Sequence, residues 1–155
     1  MSSKKQLYQD LAAQAGALMS GETNLIANLA NLSALLFNQL PDVNWAGFYL
    51  YDGSELVLGP FQGQPACIRI PMGKGVCGCA ASTGQVQLVE DVHQFDGHIA
   101  CDAASNSELV VPIFNKGELV GVLDIDSPLF SRFDGDDKQG AMVLVQLLCE
   151  ACFSQ

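Results

Sequence analysis

The chain has 155 residues, 49% of them hydrophobic, and a formal net charge of −10. A single domain of this length buries roughly 68–70% of its unfolded surface, so it folds without staples, and the apolar content excludes a disordered chain. Seven Lys and Arg, scattered against 17 Asp and Glu, exclude nucleic acid and anionic membrane surfaces as partners, because both require clustered positive charge.

Lys4 and Lys5 make the N-terminus basic, but Gln9, Asp10 and Gln14 interrupt any apolar run of signal-peptide type. No stretch approaches the ~20 apolar residues of a membrane span, so a cytoplasmic protein is expected. Leu7, Leu11, Ala15 and Leu18 recur at helical steps until Gly21. A second helix is expected from about Thr23 to Gln39, with Leu25, Leu29, Leu32, Leu35 and Leu36 on one stripe and Pro41 beyond its end. These stripes serve a core or a homodimer.

Strand patterns follow. Val43 to Tyr51 alternates so that Val43, Trp45, Gly47 and Tyr49 share a face; Asp52-Gly53 turns the chain, and Glu55 to Leu58 returns. Ala66 to Ile70 reads as a short strand ended by Pro71, Val76 to Ser82 as a small-residue helix closed by Gly84, and Gln85 to Val89 as a strand. Residues 90–107 have no period and form a long polar loop of the kind that carries function. Glu108 to Phe114 and Glu118 to Asp126 are strands joined by Asn115-Lys116-Gly117. Asp134 then caps a helix that is acidic in its first turn at Asp136 and Asp137. The expected architecture is a single α+β domain. N-terminal helices span about 4–39, the sheet and its loops about 43–127, and a C-terminal helix about 135–153. An antiparallel sheet has the N- and C-terminal helices packed on one face.

Of the six cysteines, Cys149 and Cys152 lie in an apolar segment and read as small hydrophobes. Cys77-Gly78-Cys79 has the wrong spacing for a zinc knuckle, and no matching pair follows. Cys67, Cys77 and Cys101 stand among turn and polar residues, where thiols of a reducing compartment are reactive rather than structural. Cys101 has His98 three residues before it and His93 further upstream, and Cys77 opens a short helix whose amides favour a thiolate. The acidity of the chain pulls the other way, since nearby carboxylates raise a thiol pKa. On the last strand, Val122, Asp124 and Asp126 share one face, with the two acids roughly 6.6 Å apart along the chain. Glu108 on the neighbouring strand brings a third acid. Three acids at one end of a sheet point to an ammonium, guanidinium or metal ligand. Trp45 is either core or one wall of a small-ligand pocket.

Several runs converge: Asn44-Trp45-Ala46-Gly47-Phe48-Tyr49, Gly73-Lys74-Gly75-Val76-Cys77-Gly78, Asp91 through Asp102 with Gly97-His98-Ile99-Ala100-Cys101, Ser105-Asn106-Ser107-Glu108, and Gly121-Val122-Leu123-Asp124-Ile125-Asp126-Ser127. Together they resemble free methionine-(R)-sulfoxide reductase, a family of single GAF-type domains, over nearly the whole chain. The resemblance implies an oxidoreductase that reduces free L-methionine-(R)-sulfoxide to methionine. The route it implies runs through a cysteine sulfenic acid and an intramolecular disulfide, with thioredoxin as the external reductant and no metal or organic cofactor. It implies Cys101 as nucleophile, Cys67 as main resolving thiol and Cys77 at the third redox position. It further implies Glu108, Asp124 and Asp126 around the substrate ammonium, and Trp45 and Tyr49 as an aromatic wall. Two alternatives come from other classes: a ligand-sensing GAF module without chemistry, and a redox-sensing protein whose cysteines switch a dimer. The acidic cluster argues against a phosphate-bearing effector.

Overall fold

Each long helix begins on a side-chain cap. Ser3 accepts from the Gln6 amide and starts α1 (Lys4–Met19); Asn24 accepts from the Ala27 amide at 2.9 Å and starts α2 (Leu25–Gln39). The computed structural model describes residues 3–97 and 104–153. After the two helices come β1 (Trp45–Tyr51), β2 (Glu55–Gly63), β3 (Arg69–Pro71), α3 (Gly75–Thr83), β4 (Gln87–Val89), a 3-10 turn at Val92–Gln94, β5 (Ser107–Asn115), β6 (Glu118–Ser127) and α4 (Gly135–Phe153). The strands form one antiparallel sheet in the order β3-β2-β1-β6-β5-β4. No helix among the described residues is long and apolar enough to cross a membrane.

The sheet has two different faces, set by the period of two along its strands. Ala46, Phe48, Leu109, Val111, Leu123 and Ile125 point to one side and form the main core with Leu11, Leu29, Leu36, Leu144 and Leu148 from α1, α2 and α4. The N- and C-terminal helices therefore share that face, as the sequence predicts. Trp45, Tyr49, Val110 and Val122 point to the other side, where α3 supplies Val76, Cys77, Ala80 and Ala81.

Three local expectations are corrected. Met19, not Leu18, completes the buried stripe of α1, and Leu18 is 47% exposed. Val43 precedes β1 and packs with the helix-side core, so it does not share the face of Trp45. The returning strand does not stop at Leu58. Gly59-Pro60 sits opposite the single residue Phe48 as a bulge, between the pairs Gly47–Phe61 and Tyr49–Leu58. The missing proline N–H falls where the ladder is already interrupted.

The start of α4 is bolted to α1. The Asp134 carboxylate accepts from the amides of Asp136 and Asp137. Asp137, fully buried, accepts from the Tyr8 hydroxyl at 2.7 Å, from Lys4 Nζ at 2.7 Å and from Arg132 Nη1 at 3.3 Å. Arg132 also donates from Nε to the Pro41 carbonyl, so one carboxylate ties both helices to the loop leaving β6.

Candidate active site

The site lies on the face of the sheet opposite the long helices. Asp126 of β6 is flanked directly by Glu108 of β5 and Trp45 of β1, so these side chains form one row across the sheet. Asp124, two residues earlier, stands between Val110 and Gly47 in the next row. The alternating sequence makes this arrangement: Leu123 and Ile125 belong to the helix-side core, which commits Val122, Asp124 and Asp126 to the other face. α3 crosses above and brings Cys77 Sγ to 3.8 Å from Glu108 Oε2.

All four groups are nearly sealed from solvent. Relative exposures are 4% for Cys77, 8% for Glu108, 5% for Asp124 and 8% for Asp126. Asp124 Oδ1 is buried with no hydrogen-bond partner among the described residues. Burial, and then the Asp124 charge, push the Glu108 carboxyl well above its usual range. Burial, and then Asp126, do the same to Asp124. The Cys77 thiol is pushed up by burial and by Asp124, Glu108 and Asp126 in turn. The two sequence arguments about Cys77 thus resolve in favour of the carboxylates. It opens α3 as expected, yet the acids and the dry surroundings outweigh the helix amides.

An aromatic wall borders the acids. Trp45 stacks on Tyr49, with ring centroids 5.9 Å apart, and on Phe61 at 5.1 Å with the planes 14° apart. Both polar tips fasten the β2–β3 loop: Trp45 Nε1 donates to the Gln64 carbonyl and the Tyr49 hydroxyl to the Cys67 carbonyl, each at 3.1 Å. Burial, then Asp124, raises the Tyr49 phenol, so it stays a donor. Cys67 is thereby held at the edge of the wall, half-buried and disulfide-bonded, whereas Cys77, Cys79, Cys149 and Cys152 are free thiols.

The structure therefore brings together Trp45, Tyr49, Cys67, Cys77, Glu108, Asp124 and Asp126 of the expected site residues. Cys101, and His98 before it, lie outside the described residues. His93 is on the surface, with Nδ1 2.9 Å from Asp91 Oδ1 and its ring tilted over Phe130. Sequence reasoning missed Phe61, because Gly59-Pro60 hides the continuation of β2. The only trace was an aromatic residue three positions beyond the apparent strand end. Sγ of Cys77 and carboxylate oxygens of Glu108 and Asp124 all lie within 4.8 Å of one another, a group able to hold a cation. Acidic and deeply buried at one end, aromatic at the other, the site suits a small molecule with a positive group and an apolar body.

The chain matches the GAF domain family over residues 24–152. It is 59% identical over 145 residues to the free methionine-R-sulfoxide reductase of Escherichia coli, covering 94% of this chain and 88% of that protein. The structure of a putative GAF sensor protein from Burkholderia vietnamiensis superposes with a TM-score of 0.95 at 56% identity, covering 98% of this chain and 97% of that one. That of fRMsr from Staphylococcus aureus in complex with its substrate does so with a TM-score of 0.89 at 53% identity, covering 93% and 94%.

Proposed function

The chain belongs to the free methionine-R-sulfoxide reductase family of GAF domains, and from that premise we propose that it reduces free L-methionine-(R)-sulfoxide to L-methionine. The observation that carries the reading is the buried row of acids beside an aromatic wall and Cys67. Glu108, Asp124 and Asp126 clasp the α-ammonium group. The thioether end lies along Trp45 and Tyr49, with Phe61 stacked behind Trp45. Methionine sulfoxide within a polypeptide has an amide in place of the ammonium. It would leave buried carboxylates without a counter-charge, so the site rejects it steeply.

The Cys101 thiolate attacks the sulfoxide sulfur. The S–O bond of the substrate breaks as oxygen passes to Cys101 with one proton, giving the cysteine sulfenic acid and methionine; the substrate sulfur gains two electrons and Cys101 loses two. Glu108 supplies the proton, because burial and then Asp124 raise its carboxyl well above the usual range and so favour its protonated form. The Cys67 thiol then condenses with the sulfenic acid, releasing water and forming a disulfide. Cys77 occupies the third redox position, behind Cys67 in reactivity because its thiol is held protonated. Thioredoxin restores the dithiol by exchange in the cytoplasm. The cycle uses no metal or organic cofactor. Exposed Leu18 and Ile26 on the N-terminal helices suit a homodimer.

The test is an NADPH- and thioredoxin-coupled assay with separated diastereomers. Turnover of the free R form, with none of the S form or of N-acetylmethionine sulfoxide, is expected. Tight binding of a nucleotide without turnover would replace the enzyme by a sensor.

A further inference from the structure

We propose that Cys77, Glu108 and Asp124 form a binding site for a thiophilic divalent cation of the zinc class, which occupies the acid cluster in place of the substrate's ammonium group and so inhibits the enzyme reversibly. The competition rests on the proposed function, whereas the metal site does not. Three observations carry it. The donor set is one sulfur and two carboxylates from three elements, α3, β5 and β6, with all donor atoms within 4.8 Å of one another. Cys77 Sγ and Glu108 Oε2 are 3.8 Å apart, and two tetrahedral ligands at ordinary Zn–S and Zn–O lengths stand about 3.5 Å apart. The third observation is the buried Asp124 Oδ1, without a hydrogen-bond partner among the described residues, which a cation would satisfy.

Chemistry selects the class. Calcium and magnesium take oxygen ligands and leave sulfur aside, whereas zinc and cadmium bind thiolate together with carboxylate. Three protein ligands leave one tetrahedral position, which water fills. Binding displaces to solvent the proton on the Cys77 sulfur, together with any held by the Glu108 and Asp124 carboxyls, as the metal–sulfur and metal–oxygen bonds form. A divalent ion also offsets more of the buried negative charge than a single ammonium does, so it competes with substrate for the same carboxylates. Cys79, two residues on, contributes nothing to this donor group.

The test uses the full chain carrying Cys67→Ser and Cys101→Ser, which cannot turn the sulfoxide over and retains Cys77, Cys79, Cys149 and Cys152. Titration with cadmium alone should give the ultraviolet sulfur-to-metal charge-transfer band at one equivalent. Adding Cys77→Ser should abolish it, and Asp124→Asn or Glu108→Gln should weaken cadmium binding by more than the ~10-fold typical of a lost outer partner. Cys149→Ser with Cys152→Ser should leave it intact. A band that survives Cys77→Ser, or is indifferent to both acid variants, overturns the site. If an acid variant does not fold, the cadmium-113 shift of the parent decides: one sulfur among oxygens supports the site and two sulfurs overturn it. Free methionine-(R)-sulfoxide should weaken cadmium binding in proportion to its concentration. Binding to Cys77 that the sulfoxide leaves untouched overturns the shared-site inhibition and the substrate assignment of the acids, while the metal site stands.

Discussion

Glu108 and Asp124 are held where their neutral forms are favoured, because burial raises both above the ordinary carboxyl range, followed by the Asp124 charge at Glu108 and the Asp126 charge at Asp124. A carboxyl raised on folding contributes stability below its unfolded value, about 4. That contribution is lost as pH rises through the folded value. The ligand-free protein should therefore lose stability as the pH rises above about 4. Asp124→Asn should melt higher than the parent at pH 8, with the gap narrowing towards pH 5 in paired thermal scans. The same variant should raise KM for the sulfoxide about 10-fold or more, the worth of a charged hydrogen bond. Glu108→Gln should lower kcat as well, as befits a proton donor. Cys101→Ser should abolish methionine formation even in a single turnover, whereas Cys67→Ser should keep the burst and lose recycling; the reverse pattern, with Cys77→Ser losing the burst, would exchange the roles. The acidic cluster was legible because Asp124 and Asp126 alternate with Leu123 and Ile125, which only a half-buried strand explains. The protonated state of Cys77 was not legible. Its helix position and its acidic neighbours argue in opposite directions, and only its burial, with Asp124 and Glu108 packed against it, decides between them.

Among the elements, α4 depends on contacts that its own sequence does not announce. Asp137 reads as an acid suited to a helix start, yet it is the fully buried acceptor for Tyr8, Lys4 and Arg132. Asp137→Ala should destabilise the fold by about 3–5 kcal/mol in urea unfolding, since it strands the Arg132 and Lys4 charges. Gly140 makes a sharper test. In an exposed helix, alanine is better than glycine by about 1 kcal/mol, but a Cβ at Gly140 would collide with the Tyr8 ring. Gly140→Ala should therefore destabilise, against the propensity scale, and Tyr8→Phe in the same background should not restore the loss. Periodicity located the long helices well because each commits a continuous stripe to the core. It failed at β2, where Gly59-Pro60 looks like a terminus and is a bulge; the compensating partner, Phe48, lies on another strand.

For the molecule as a whole, the division of the sheet into two faces separates stability from chemistry. The long helices seal one side, leaving the polar cluster, the aromatic wall and α3 on the other. A ligand bound only by the folded state stabilises by mass action, about 2.7 kcal/mol at 100 times its dissociation constant. For a domain of this size that is a rise of about 5–11 °C in Tm. Methionine should produce it and N-acetylmethionine should not, measured by thermal scanning at matched concentration. The sheet also begins and ends in strands of three residues, β3 and β4, so each edge strand itself offers a neighbouring chain only a short stretch of backbone on which to zip. Edge strands this short give partly unfolded chains little to pair with, which disfavours their recruitment of the folded molecule into aggregates.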